Sequence, residues 1–231
     1  MRDSIAIFRK ELQEIAGARD SRQAGAIQIL VMGLAFGVLF PIQHPEAWNR
    51  WAPSNVVYYA LGASLLGAGL AADAFAGERD RRTLETLMTT PASEFDILLG
   101  KVWAVVVFGL IAAIFPWSIA LVITAGRGVP MGPAPLLTCG FLWITACATF
   151  ASGMLAIGVS LRTTSARASQ QINAVLILMV FGGTSFVWRK LSLPHTLGAL
   201  SLAGLIALIL GGLALCALSR WFRRDRIFAR G

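Results

Sequence analysis

Residues of the types that carry out chemistry are few in this chain, and their positions argue against catalysis. Cys139, Cys147 and Cys216 lie inside apolar stretches, and the two histidines, His44 and His195, are isolated from each other. Thiols and imidazoles bind metals or act as nucleophiles when they are grouped with one another or with a base. We therefore expect no catalytic residue and no metal site, and we interpret the cysteines as small buried apolar residues.

The Gly100-Lys101 pair does not belong to a nucleotide-binding loop. A P-loop has the pattern Gly-x-x-x-x-Gly-Lys-Ser/Thr, because backbone amides, the lysine and the hydroxyl together hold the phosphates and Mg²⁺. Here Phe95 stands at the position of the first glycine and Val102 at that of the hydroxyl residue. We expect no nucleotide site in this sequence.

Asp73 is the acidic residue that lies inside an apolar stretch. Charged groups inside a membrane are costly and often mark a functional site. Asp73 is about one helical turn from the end of its stretch and close to Arg79, so we interpret it as a carboxylate that reaches the membrane surface. No second intramembrane acid, HExxH motif or Ser/His/Asp set accompanies it, and an enzymatic function is not indicated.

The composition of the chain indicates a membrane environment. Hydrophobic residues make up 56% of the 231 residues and charged residues 14%, with a mean hydropathy of +0.69, whereas ordinary globular domains carry about 25% charged residues. Crossing a bilayer takes about 20 helical residues, and backbone groups in lipid must be bonded within the helix. We predict an all-α, polytopic membrane protein with six transmembrane helices, at residues 24–42, 55–76, 102–125, 135–161, 172–188 and 200–218.

The lysines and arginines set the predicted orientation. Of the 20, 16 lie in the N-terminal segment, in the loops after the second and fourth helices and in the C-terminal tail, against 4 in the other loops. Cytoplasmic loops carry the excess of basic residues, so we expect both termini in the cytoplasm and a multi-pass protein of the plasma (bacterial inner) membrane. Anionic lipid headgroups, rather than nucleic acid, are then the counter-ions of the net charge of +8.

The first 23 residues have the pattern of a helix that lies on the membrane. Apolar residues recur at three- and four-residue spacing, while charged residues occupy the other faces. The apolar residues of this stripe are Ile5, Phe8, Leu12 and Ile15. We predict an amphipathic interfacial helix within residues 1–23 that positions the first span, a role compatible with an additional partner contact.

Residues 77–101 connect the second and third predicted spans and form a cytoplasmic elbow. Thr83 and Ser93 can each cap a short helix, and Pro91 separates the two helices. The apolar residues on their faces are Leu84, Leu87, Met88, Phe95, Leu98 and Leu99. Because neither short helix has a core of its own, we expect these faces to pack against the membrane or a partner protein.

The elbow resembles the signature of ABC-2 type transporter permeases. Residues 75–91 read FAGERDRRTLETLMTTP and residues 97–101 read ILLGK. In that family a GERE-GTLE-LL-TP stretch links the second and third helices and precedes LLGK. Residues 8–12, FRKEL, are similar to the family's N-terminal interfacial helix. Arg82 departs from the pattern, since the family commonly has glycine there.

This resemblance implies the membrane subunit of an ATP-binding cassette exporter. Such permeases dimerise, and each binds a separate cytoplasmic ATPase through the coupling helix that links its second and third helices. On this sequence the contact falls within residues 78–101. The residues implied at its surface are Glu78, Thr83, Leu84, Leu87, Met88, Pro91, Glu94 and Phe95. The ATPase would hold ATP and Mg²⁺, this chain would bind no cofactor, and its second partner would be another permease in a homodimer or heterodimer.

The fifth predicted span is the shortest, and Gly-Gly-Thr-Ser at 182–185 interrupts it. The helix could instead begin near Ala166 and end near Phe181. Residues 182–199 would then form a re-entrant piece in the outer leaflet, as the ABC-2 resemblance also suggests. We predict an outer gate there, formed by Gly182, Gly183 and Trp188.

Small residues recur every four positions in the second and fourth spans. They are Ala60, Ser64, Ala68, Ala72 and Ala76, followed by Ala148, Ser152, Ala156 and Ser160. Such stripes let two helices approach closely, within one chain or between two.

Two other functions stay open. A haem-exporter-type permease of cytochrome c maturation has a similar length and helix count, and a membrane-integral enzyme or scaffold would be of another class. The pattern predicts no particular substrate, because apolar helix faces could serve a drug, a lipid, a peptide or a polysaccharide.

The orientation predicts the behaviour of reporter fusions in bacteria. Green fluorescent protein fused after Gly231 should fluoresce, and alkaline phosphatase fused there should be inactive because its disulfides form only outside the cytoplasm. The same phosphatase placed after Gly132, in a predicted outer loop, should be active. An active phosphatase at the C-terminus would contradict the orientation.

Overall fold

The computed structural model describes residues 2–17, 27, 29–80, 93–163, 165–190 and 196–221, and this part of the chain is helical without strands. In chain order the helices are α1 Arg2–Gly17, α2 Ile29–Gln43, α3 Pro45–Asn49, α4 Ser54–Asp80, α5 Glu94–Gly126, α6 Ala134–Ser160, α7 Ala166–Lys190 and α8 Leu197–Trp221. Within α2, Gly33–Leu39 is π-helical. The prediction of an all-α protein is confirmed for these residues.

Four of the helices are long and apolar enough to cross a membrane. These segments are Ser54–Glu78, Phe95–Gly126, Ala134–Ser160 and Leu197–Ser219. The described part of α2 is apolar but shorter, and α7 has 25 residues but is less apolar, with exposed Gln170 and Gln171. The protein is therefore a multi-pass membrane protein, while the number of six spans stays a prediction.

Helix α5 begins directly after Ser93, the residue predicted to cap it. The Ser93 hydroxyl accepts a hydrogen bond from the backbone N–H of Asp96 at 3.1 Å, which satisfies one of the amides that a helix leaves unpaired at its start. From Glu94 the helix continues without a break to Gly126, 33 residues in all. The second short helix of the predicted elbow is thus the first part of α5.

Helix α4 lies in the middle of the bundle and packs against α5, α6 and α7. Its small-residue stripe is buried, as are Ser152, Ala156 and Ser160 on α6. The Ser160 hydroxyl donates to the Ala72 carbonyl at 2.8 Å, so the two backbones approach closely along these residues. The chain therefore uses both stripes for its own interior.

Aromatic side chains fill the interior at the end of the bundle where α4 begins and α5 ends. Trp117 stacks on Phe141 with ring centroids 4.3 Å apart, and Tyr59 and Trp48 lie 5.1 and 5.4 Å from Trp117. The Tyr59 hydroxyl donates to the Phe36 carbonyl at 2.7 Å, which satisfies the polar end of a buried ring. We call Trp48, Tyr59, Trp117 and Phe141 the aromatic cluster.

Two hydrogen bonds tie the loops beside the aromatic cluster together. The Trp51 indole N–H donates to the Pro130 carbonyl at 2.9 Å, and the Arg127 guanidinium donates to the Pro41 carbonyl at 2.7 Å. The first bond joins the segment before α4 to the loop after α5, and the second joins the last turn of α2 to the residue that follows α5. This end of the bundle is thereby held by side-chain contacts as well as by packing.

The structure corrects the predicted break in the fifth span. Helix α7 begins at Ala166 and continues through Gly182 and Gly183 to Lys190, so the helix is not broken within the described residues 182–190. The Thr184 hydroxyl donates to the Val180 carbonyl at 2.8 Å and is satisfied within the helix. Backbone groups outside water need bonding partners, and this requirement outweighs the low helix propensity of two glycines. Residues 191–195 and the side chain of Trp188 lie outside the described part of the chain.

The aromatic cluster predicts unequal effects for two tryptophans of α5. Trp117→Ala is expected to lower the free energy of unfolding by about 3–5 kcal/mol, because it leaves a cavity against Phe141. Trp103→Ala removes an exposed side chain of the same helix and is expected to cost less than about 1 kcal/mol. Unfolding of the purified protein in detergent measures both, and equal losses would contradict the prediction.

Candidate functional site

Only the flanks of the predicted coupling element belong to the described residues. Residues 81–92, which contain Thr83, Leu84, Leu87, Met88 and Pro91, lie outside them, as does the side chain of Glu94. Glu78 at the end of α4 and Phe95 at the start of α5 are described. They lie at the end of the bundle opposite the aromatic cluster, which we call the Lys101 end.

A buried lysine joins the two flanks. The Lys101 ammonium donates to Glu78 Oε1 at 2.9 Å and to Glu11 Oε1 at 2.6 Å, and the Lys101 side chain is 1% exposed. These contacts connect the end of α4, the start of α5 and α1, which are far apart in the sequence. The residues between Glu78 and Lys101 are therefore held at both ends by one ion pair.

The surroundings of Lys101 explain how a charge can be buried there. A buried ammonium is costly unless it is paired and hydrogen-bonded, and here two carboxylates accept hydrogen bonds from it. The Lys10 ammonium lies 3.6 Å from Glu78 Oε1, which brings the charges of these four groups into balance. The Phe75 ring adds a cation–π contact, with its centroid 5.3 Å from Lys101 Nζ.

Helix α1 packs on the start of α5 through Ser4 and Ile7, which lie beside the predicted apolar stripe. A Cβ atom at Gly100 would lie 2.9 Å from the Ile7 Cβ atom and 2.9 Å from the Ser4 carbonyl oxygen, so only glycine fits. Ser4 and Ile7 are buried, whereas Ile5 is exposed. Of the predicted stripe, Ile5 is thus exposed and Phe8 is half-buried, while the side chains of Leu12 and Ile15 lie outside the described residues.

Ser160 holds the last turns of α4 beside this cluster. Its hydroxyl accepts from the N–H groups of Phe75 and Ala76 at 3.2 and 2.9 Å and donates to the Ala72 carbonyl at 2.8 Å. A single side chain of α6 therefore contacts three backbone groups of α4, one turn before Glu78. Glu78 is positioned by α6 as well as by Lys101.

Residues 5–192 match the family model described as ABC-2 family transporter protein. The chain belongs to this family. It is also similar to the ABC transporter permease protein NatB of Bacillus subtilis (strain 168), with 36% identity over 83 residues. That alignment covers 33% of this chain and 22% of NatB. The resemblance noted at residues 75–101 is confirmed at the level of the family.

At the Lys101 end of this ABC-2 protein, the two described contact residues differ in their exposure. Among the described residues, no group of three His, Cys, Asp or Glu side chains could hold a metal ion. Phe95 is 44% exposed, while Glu78 is 5% exposed and bound to Lys101. Of these two predicted contact residues, Phe95 thus has the exposure that a partner contact needs, and Glu78 is directed into the protein.

Sequence reasoning did not find the pairing of Lys101 with Glu11 and Glu78. The sequence did contain a signal for the Glu78–Lys101 contact. Glu78 follows one predicted span and Lys101 precedes the next, so antiparallel helices bring the two residues to the same level. No comparable signal existed for Glu11, because its place depends on how α1 packs against Gly100.

The cluster predicts a large effect for the loss of its cation. Lys101→Met is expected to lower the free energy of unfolding by about 3–5 kcal/mol, because it removes the buried ammonium that both Glu78 and Glu11 contact. Arg50→Met is the matched control, since the Arg50–Glu46 pair at 3.8 Å is 82% exposed on both sides and such pairs contribute about 0–1 kcal/mol. Equal midpoints of thermal unfolding for the two variants would contradict the account of the cluster.

Proposed function

We propose that this protein is the membrane subunit of an ATP-binding cassette exporter that moves its substrate with ATP hydrolysed by a separate ATPase. Membership of the ABC-2 family and the similarity to a protein named an ABC transporter permease support this function. The sequence also carries no P-loop pattern, so ATP and Mg²⁺ would be held by the ATPase. The substrate is not proposed.

The ATPase is proposed to bind the elbow between α4 and α5. The observation that carries this assignment is Phe95, an aromatic side chain exposed at the start of a helix whose neighbours Ile97 and Leu98 are fully buried. Exposed aromatic residues of this kind are frequent anchors of protein interfaces. The proposed contact surface combines Phe95 with the preceding elbow residues Thr83, Leu84, Leu87, Met88, Pro91 and Glu94.

Glu78 is proposed to hold the elbow rather than to touch the ATPase. Its carboxylate binds Lys101, so a displacement of the elbow would move the end of α4 and the start of α5 together. Binding of ATP would bring two ATPases together, move the two elbows and tilt these helices between inward-open and outward-open states. The distribution of lysines and arginines supports both termini in the cytoplasm and a location in the bacterial inner membrane.

Exposed polar side chains on α7 support the proposal that the other partner is a second permease. The polar side chains of Gln170, Gln171, Thr184 and Ser185 are exposed on this helix. Polar groups in a membrane favour protein or an aqueous cavity over lipid. We therefore propose that α7 faces a second permease, in a homodimer or a heterodimer, or the substrate pathway between the two subunits. The exposed leucines and isoleucines of α8, in contrast, suit contact with lipid.

Mutation of the elbow tests the proposed ATPase contact. The permease should co-purify with a P-loop ATPase, and Phe95→Asp or Leu87→Asp should reduce the amount of ATPase recovered by about tenfold or more, because a charge would replace an apolar anchor. Met131→Asp is the control, since Met131 is exposed in the loop at the opposite end of the bundle.

Two outcomes would contradict this function. One is vectorial transport by the isolated permease without any ATPase. The other is full recovery of the ATPase with both elbow variants, which would leave the coupling assignment without support.

A further inference from the structure

The four charged groups at the Lys101 end divide evenly between α1 and the bundle. Helix α1 contributes Lys10 and Glu11, and α4 and α5 contribute Glu78 and Lys101. Each side of the boundary therefore carries one positive and one negative charge. Separation of α1 from the bundle would therefore leave no net charge behind among these four groups, and Glu78 and Lys101 would still pair with each other.

The contacts across this boundary are also the more accessible ones. The Glu11 side chain is 17% exposed and that of Lys10 is 47% exposed, against 6% for Glu78 and 1% for Lys101. Groups near water lose less hydration on binding and regain more of it on release. The Glu11–Lys101 contact consequently opens at a lower cost than the Glu78–Lys101 contact.

Further contacts hold the inner pair in place. Ser160 fixes the last turns of α4 through three hydrogen bonds, and the Phe75 ring lies against the Lys101 ammonium. On the α1 side, the packing of Ile7 against the bare backbone of Gly100 accompanies the charges. The inner pair thus belongs to the helical bundle, and α1 is attached to the bundle along the stripe that contains Ser4, Ile7 and Glu11.

We propose that Lys10, Glu11, Glu78 and Lys101 form a releasable latch. When the latch opens, α1 leaves the start of α5 with Lys10 and Glu11 together, and Glu78 stays bound to Lys101. The proposal rests on the proposed function for its role, since movement of the elbow would move the start of α5 against an α1 held at the membrane surface. Glu11 is a positioning residue in this scheme and Lys101 is the fixed half of the latch.

The latch can be measured in the full-length permease without its ATPase. In nanodiscs, with the three native cysteines replaced by serine, spin labels at Gln13→Cys on α1 and Trp103→Cys on α5 report the distance between α1 and the bundle. A second pair, Trp103→Cys with Leu155→Cys on α6, reports the bundle itself. All three label sites are exposed.

The latch predicts a selective effect of Glu11. Glu11→Gln should raise the ratio of open to closed α1 by about tenfold or more, because a charge-assisted contact is lost, and should leave the α5–α6 distance unchanged. Glu11→Asp should restore most of the closed population. Glu46→Gln, which removes an exposed carboxylate at the other end of the bundle, should change neither distance.

Two results would overturn the latch. If Glu11→Gln broadens both distances and lowers the unfolding midpoint as Lys101→Met does, then Glu11 only stabilises the fold. If Glu11→Gln changes neither distance, the contact does not hold α1. Because these measurements use the permease without its partner, they are independent of the ATPase recovery experiment, so failure of the latch and failure of the transporter assignment are distinguishable.

Discussion

The buried ammonium of Lys101 is the constraint on which the rest of the structure at this end depends. A charge with 1% exposure requires partners, and the chain supplies them from α1 and from α4. To bring both carboxylates to one nitrogen atom, α1 must lie against Gly100, and α4 must end at the level where α5 begins. The end of α4 and the start of α5 are held at the same level by that requirement.

The two ends of the bundle are stabilised by different forces. At one end, Trp48, Tyr59, Trp117 and Phe141 pack in a dense aromatic cluster, and cross-loop hydrogen bonds add to it. At the other, a buried ion pair and the hydrogen bonds of the Ser160 hydroxyl hold the helices together. Under the proposed function, this second end is the one that the ATPase would move.

Several features were readable because they depend on local sequence. The Ser93 cap was predicted from its hydroxyl and is observed, since capping involves neighbouring residues only. The small-residue stripes predicted a close helix approach, but whether it lay inside one chain or between two was decided by the hydrogen bond from Ser160 to Ala72. The break predicted at Gly182 was wrong, because local helix propensity is a weak influence where the backbone has to bond to itself.

By itself, the sequence determined that this is an all-helical membrane protein and, through residues 75–101, that it belongs to the ABC-2 family. Hydropathy and short motifs are properties of contiguous residues, so both could be read directly. Only the tertiary structure decided that Glu78 is turned inward, that Lys101 is shared, and that Glu11 reaches it from the N-terminal helix. The physical reason is that an ion pair depends on distance in space, and 90 residues of chain separate Glu11 from Lys101.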